Sequence, residues 1–170
     1  MSVNKVGTPQ TIVDAAVYVD GLGFVGRSDN EKIKLPVIEE IQESFKAGGF
    51  ERDYGTGVFK KMEFEVVVNE YNKVIYQAMQ TALTNGKGVT FTIKGSALQD
   101  GVKVPIAATI QAKFSIDSNL NAKVELMLKG VATRYTLEVN GDTLCSMDSA
   151  NMIAEIGGVD YLETLRNHIL

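Results

Sequence analysis

The side chains in this sequence that commonly do chemistry are few and poorly placed for it. Cys145 and His168 are the only cysteine and histidine, so there is no intrachain disulfide, no histidine pair and none of the usual zinc ligand sets. His168 falls near the end of a terminal amphipathic segment, where a cation is mildly favoured and the chain frays. Cys145 sits on an apolar strand just past an Asn-Gly turn and reads as a small buried hydrophobe rather than a nucleophile. Glu39 and Glu40 are paired carboxylates, but neighbours on an extended chain face opposite ways and cannot flank one glycosidic bond. The run Gly21-Leu22-Gly23-Phe24-Val25-Gly26 has the spacing of a dinucleotide-binding loop, which also needs a helix opening at its third glycine. The residues after Gly26 are polar and reach Pro36 with no apolar positions at helical spacing. Neither a Gly-x-Ser-x-Gly elbow nor a P-loop is present. The expectation is no enzyme, no cofactor and no metal.

The composition is that of an ordinary globular domain. The chain has 170 residues, 45% hydrophobic and 22% charged, enough to bury a core as one domain over 1–170. A net charge of −4 gives no global basic field for gripping nucleic acid or an acidic membrane. No stretch approaches the roughly 18 uninterrupted apolar residues of a membrane span, and residues 1–20 lack the long apolar run of a signal peptide. A cytoplasmic origin without membrane insertion is expected.

The elements are mostly strands. Residues 12–19 form an apolar segment ending at Asp20-Gly21, and Phe24 and Val25 suggest a short pairing strand before polar residues 27–32. Residues 37–68 read as a long hairpin, with glycine-rich residues 47–57 as its loop. In the second arm Met62, Phe64, Val66 and Val68 oppose Lys61, Glu63 and Glu65, the period of a strand with one wet face. In the first arm Glu40, Gln42, Ser44 and Lys46 form one polar row, while the opposite row mixes Val37, Ile41 and Phe45 with Glu39 and Glu43. So much charge on both arms suggests a surface completed by another copy.

Residues 71–84 change period. Tyr71, Ile75, Ala78, Met79, Ala82 and Leu83 recur at three and four as a core stripe, with Asn69 or Asn72 as cap and Asn85-Gly86 as a left-handed stop. Val89, Phe91 and Ile93 then alternate with polar residues, as do Val104, Ile106, Ala108, Ile110, Ala112, Phe114 and Ile116. Residues 122–128 pair back as a hairpin. Tyr135, Leu137 and Val139 form a further strand, and Asn140-Gly141 is the strongest hairpin signal in the chain. Residues 159–169 read as a short helix with Asp160 and Glu163 at capping-box spacing and Leu162, Leu165 and Ile169 on one face. The fold class is α+β, mainly antiparallel β, with one flanking helix and a short C-terminal helix.

Several pieces together resemble a known family. Tyr18-Val19-Asp20-Gly21, Phe24-Val25-Gly26, Leu35-Pro36 and Phe45-Lys46-Ala47-Gly48-Gly49 are similar to the opening of the major tail tube proteins of contractile-tailed bacteriophages and R-type tailocins. Tyr135-Thr136-Leu137-Glu138-Val139-Asn140-Gly141, Met147-Asp148, Ile156-Gly157-Gly158-Val159-Asp160 and Leu165-Arg166-Asn167 resemble its closing segment. Phe50 stands where the family commonly has methionine, and Ile156-Gly157 where it favours isoleucine-asparagine.

The resemblance implies a tail-tube-like β-sandwich or barrel subunit whose hexameric rings stack into a hollow tube through which DNA passes without specific binding. It also implies a virion tail location after assembly in the bacterial cytoplasm. Implied partners are further copies of the chain, a tail sheath protein, a tape measure protein, and baseplate and tail terminator proteins. A tube of a tailocin, type VI secretion system or other contractile injection particle is the alternative. On this reading Glu40, Gln42, Ser44, Lys46, Lys61, Glu63 and Glu65 are candidate lumen-facing residues, since carboxylates repel phosphate. Alternation gives two faces without saying which is inside. Gly48, Gly49, Phe50, Arg52, Tyr54, Gly55 and Gly57 are candidates for a loop reaching the adjacent ring.

Overall fold

The computed structural model describes residues 7–28 and 32–170; the start of the expected 1–170 domain and part of the polar stretch at 27–32 lie outside them. The chain is mostly antiparallel β with two helices. β1 (Thr11–Val19) and β2 (Gly23–Arg27) form the first hairpin. β3 (Glu40–Ala47) and β4 (Phe50–Phe59) form the second, which is a separate two-stranded sheet. β5 (Met62–Val68) leads to α1 (Lys73–Asn85), followed by β6 (Val89–Gln99), β7 (Val102–Ser118), β8 (Leu126–Val139) and β9 (Asp142–Asp148). The chain closes with β10 (Ile153–Ile156), β11 (Val159–Asp160) and α2 (Glu163–Ile169).

The large sheet runs β11-β10-β9-β8-β7-β6-β1-β2, with β5 also paired to β8. It rolls up until Ser28, just past β2, bridges Val68 of β5. The buried Ser28 hydroxyl donates to the Val67 carbonyl at 3.1 Å, and its amide to the Ala15 carbonyl at 3.0 Å, so both donors of this polar residue in the core are paired. Every second residue of the rolled strands points inward. Val17, Phe64, Phe91, Ile110, Phe114 and Leu128 share one core with Ile75, Ala78 and Ala82 of α1. The Phe91 and Phe114 rings meet edge to face at 4.9 Å, the preferred arrangement for aromatic quadrupoles.

α1 starts where Asn72 accepts a hydrogen bond from the Val74 amide at 2.8 Å and stops at Gly86, φ 70°, whose amide donates to the Ala82 carbonyl. The expected core stripe is narrower than its spacing suggested. Ile75, Ala78 and Ala82 are buried, but Tyr71 and Leu83 are exposed, because the helix is covered on one side only.

Several boundaries differ from expectation. Residues 47–57 are not a loop: Gly48 and Gly49, at φ 61° and 78°, make a two-residue turn, and β4 begins at Phe50. Nor is 37–68 one hairpin, since β5 pairs with β8 instead of with β3 or β4. Residues 126–139 form one strand through Gly130 rather than two. The C-terminal helix begins at Glu163, not 159, and the capping box is absent. Asp160 instead accepts from the Ala154 and Leu162 amides at 3.2 and 3.1 Å and pairs with Arg166 at 2.9 Å.

Candidate functional site: a projecting arm

The β3–β4 arm stands apart because its own strands pair only with each other. Register places Ser44 opposite Asp53, Phe45 opposite Arg52 and Lys46 opposite Glu51, which gives the arm two unlike faces.

One face is polar. It carries Glu40, Gln42, Ser44 and Lys46, joined by Glu51 and Asp53 from β4. The Ser44 hydroxyl donates to Asp53 at 2.7 Å, and Gly55 leaves room for the Glu40 carboxylate, which a Cβ there would strike. Three carboxylates stand against one lysine on this face, so its local field is negative. Lys61, Glu63 and Glu65, expected in the same row, are on a different sheet. They flank or belong to β5, where Lys61 and Glu63 form an exposed ion pair at 3.3 Å.

The other face is aromatic. Phe45, Phe50 and Tyr54 are all exposed, Phe50 at 72%. The Phe45 and Tyr54 rings meet edge to face at 5.7 Å, and the Arg52 guanidinium lies 5.8 Å from the Phe45 ring centre. The Tyr54 hydroxyl donates to Glu43 at 2.9 Å; that bond and the carboxylate's charge push the phenol pKa up. Of the residues expected in an inter-ring loop, Gly48 and Gly49 make the tip and Phe50, Arg52 and Tyr54 lie along this face. Gly55 is within β4 on the polar side, and Gly57, φ 74°, lies in β4 where the register shifts between Glu40 and Gln42.

The outward face of β5, β8 and β7 holds a second feature that the sequence alone did not reveal. Val131, 39% exposed, pairs with Lys113 on one side and Glu63 on the other. Val131 between Lys129 and Thr133 in the outward row of β8 was the available signal. Gly130 beside it lets the strands approach closely, since a Cβ there would collide with the Lys113 carbonyl oxygen.

Chemistry is little supported by the rest of the molecule. Gly21 and Gly23 turn β1 into β2, and Gly26 pairs with Val17 within a strand, so no helix opens at the third glycine. Cys145 is buried, and burial pushes its thiol pKa up. Among the described residues there is no group of three or more metal-ligating side chains, and no helix is long and apolar enough to cross a membrane.

Comparison with curated proteins returns no match. The family model for phage tail tube protein FII matches residues 9–169, a span that takes in the rolled sheet, the arm and the C-terminal helix. The chain therefore belongs to the phage tail tube protein FII family, and it is a tail tube subunit, a structural protein of the virion.

Proposed function

We propose that the chain builds the inner tube of a contractile phage tail, closing into hexameric rings that stack into a hollow conduit for genome ejection. The observation that carries this reading is the β3–β4 arm, whose strands make one polar, net acidic face and one exposed aromatic face. An isolated two-stranded hairpin is marginal in water, and its unpaired edges invite other chains. Ring closure pairs such edges and turns a liability into assembly free energy.

In the proposed tube Glu40, Gln42, Ser44 and Lys46 face the lumen, where Glu51 and Asp53 add to a negative lining that lets DNA slide without adhering. That is the reverse of the lysine and arginine contacts by which proteins hold DNA. Lys61, Glu63 and Glu65 are left out of the lining, because β5 belongs to the large sheet. Phe50, Arg52 and Tyr54 reach the neighbouring subunit with the Gly48-Gly49 tip. The role is non-enzymatic, with a sheath protein outside, a tape measure protein inside, and baseplate and terminator proteins at the ends. Assembly takes place in the host cytoplasm. A tailocin or another contractile injection particle uses the same ring and is the second reading on the sequence resemblance.

Negative-stain microscopy with sedimentation over a range of concentrations tests the proposal. Rings or hollow tubes are expected; a chain that stays monomeric both alone and on added baseplates would overturn it.

A further inference from the structure

One hollow of this acidic chain is basic. It measures about 750 Å³ and is walled by β7, β8, the turn after α1 and the turn after β9. Lys87 enters from the α1 turn, Lys113 from β7 and Arg134 from β8, against the single carboxylate of Asp148. The surplus is two positive charges in a chain of net charge −4. The C-terminal end of α1 borders the hollow at Gly86 and subtracts about half a charge, which leaves the surplus positive. Glu63, across Val131 from Lys113 in the same cross-strand row, is already paired with Lys61 at 3.3 Å.

Arg134 is aimed by its surroundings. Thr133 is an extra residue in β8 where the register with Gln111 and Ala112 shifts, a bulge of the kind that turns a side chain off its regular row. The Arg134 Nε lies 3.3 Å from Asp148 Oδ2. Asp148 is 8% exposed, and its carboxylate also accepts from the Ala150 and Asn151 amides at 3.1 Å and from Asn151 Nδ2 at 2.7 Å. Its charge is shared among four donors, so it positions Arg134 without occupying the whole guanidinium. The two terminal NH2 groups of Arg134 and the ammonium groups of Lys87 and Lys113 have no partner among the described residues.

We propose that this hollow binds an oligophosphate anion, with Arg134 as a planar fork and Lys87 and Lys113 as point charges. A guanidinium matches phosphate oxygens two at a time, and ammonium groups answer the remaining charge. Three cations from three segments converge on one concavity, which favours a compact polyvalent ligand over a single carboxylate. A DNA duplex spreads its phosphates along a rod, so one hollow meets few of them while the net negative chain repels the rest. The site lies within one chain and is independent of how copies assemble.

Isothermal titration of the full chain at low ionic strength tests the site, with tripolyphosphate, magnesium-free ATP and a short single-stranded DNA as ligands. One-to-one binding of tripolyphosphate with a Kd below about 1 mM is expected. Lys87→Gln combined with Lys113→Gln changes two exposed side chains and weakens binding about tenfold or more. Arg134→Lys keeps the charge and loses the fork, and weakens it about threefold or more. Lys103→Gln, exposed on β7 outside the hollow, changes it less than about twofold. ATP binding as tightly as tripolyphosphate assigns the site to any terminal oligophosphate group, and ATP binding about tenfold more weakly assigns it to the inorganic anion. No saturation by about 10 mM tripolyphosphate, an equal loss from Lys103→Gln, or tighter binding of the DNA would overturn the site.

Discussion

The Tyr54 hydroxyl donates to Glu43 Oε2 at 2.9 Å across the arm, and the Tyr54 ring meets Phe45 edge to face at 5.7 Å. Two exposed strands thus hold a pre-formed aromatic surface with no cover from their own chain. Pre-organised side chains lose less rotamer freedom on docking than mobile ones, so more of the contact free energy survives as affinity.

Removing that surface separates folding from assembly. Phe45→Ala combined with Tyr54→Ala touches no residue of the main core, and thermal unfolding of the monomer is expected to change by less than about 0.5 kcal/mol. Each lost aromatic contact weakens docking by about 1.4 kcal/mol or more, tenfold in affinity. The concentration at which sedimenting assemblies appear therefore rises at least tenfold. Equal loss of monomer stability would mean the arm is part of the core.

Gly130→Val is expected to destabilise the subunit itself by about 1–3 kcal/mol, the range for overpacking a tight site. The new Cβ meets the Lys113 carbonyl oxygen, and the Phe64 ring stands 3.2 Å away, so the β7–β8 pairing must open. Urea unfolding of the monomer measures this. Gly49→Ala at the arm tip, where nothing lies within 4 Å of a Cβ, strains only the left-handed turn and leaves the core transition in place.

Asn72 holds α1 to the rolled sheet as well as capping it. Its Oδ1 accepts from the Val74 amide at 2.8 Å, and its Nδ2 donates to the Val25 carbonyl of β2 at 2.7 Å. Asn72→Ala is expected to cost about 2 kcal/mol, the upper end for a cap. Asn72→Asp keeps the acceptor and loses the donor, so its loss should be smaller. Equal losses from the two variants would show that the link to β2 carries the whole effect.

The C-terminal segment is held by contacts that acid weakens. Burial raises the Asp160 pKa, but the Ala154 and Leu162 amides and Arg166 outweigh it and leave the carboxyl below its ordinary value. A group depressed in the folded state contributes stability above its unfolded pKa and loses it as pH falls through the folded one. The stabilisation is therefore complete at neutral pH and fades below about pH 4. Protection of the Ala154 and Leu162 amides against hydrogen exchange, taken relative to the intrinsic rate at each pH, should fall there, and Asp160→Asn should show the lower protection already at pH 7.

Cys145 is 6% exposed, and burial raises its thiol pKa. Only the thiolate reacts, so iodoacetamide should label it no faster than the chain unfolds. Rapid labelling of the folded monomer would place the residue at the surface.

Strand and turn chemistry was legible where both faces of a strand were settled within one chain. The alternation of β6 and β7, the Asn140-Gly141 turn and the Asn72 and Gly86 helix limits all arise from local steric and solvation preferences. The arm was not legible in the same way. Gly48, Gly49, Gly55 and Gly57 suggested a loop, yet β4 runs through the last two because the core reaches that strand only at Phe59 and penalises no missing side chain at 55 and 57. Pairing of β5 with β8 is non-local and carries no sequence spacing. Gly130 hid the continuity of β8, since a close approach of two backbones looks like a break when only one strand is in view.

A helical reconstruction of the assembled tube tests the central claim most directly. The account predicts six subunits per ring, Glu40, Gln42, Ser44 and Lys46 facing the lumen, and the Phe45 and Tyr54 rings packed against a neighbouring copy. Arms projecting from the outer surface of the tube, with another strand face lining the channel, would contradict it.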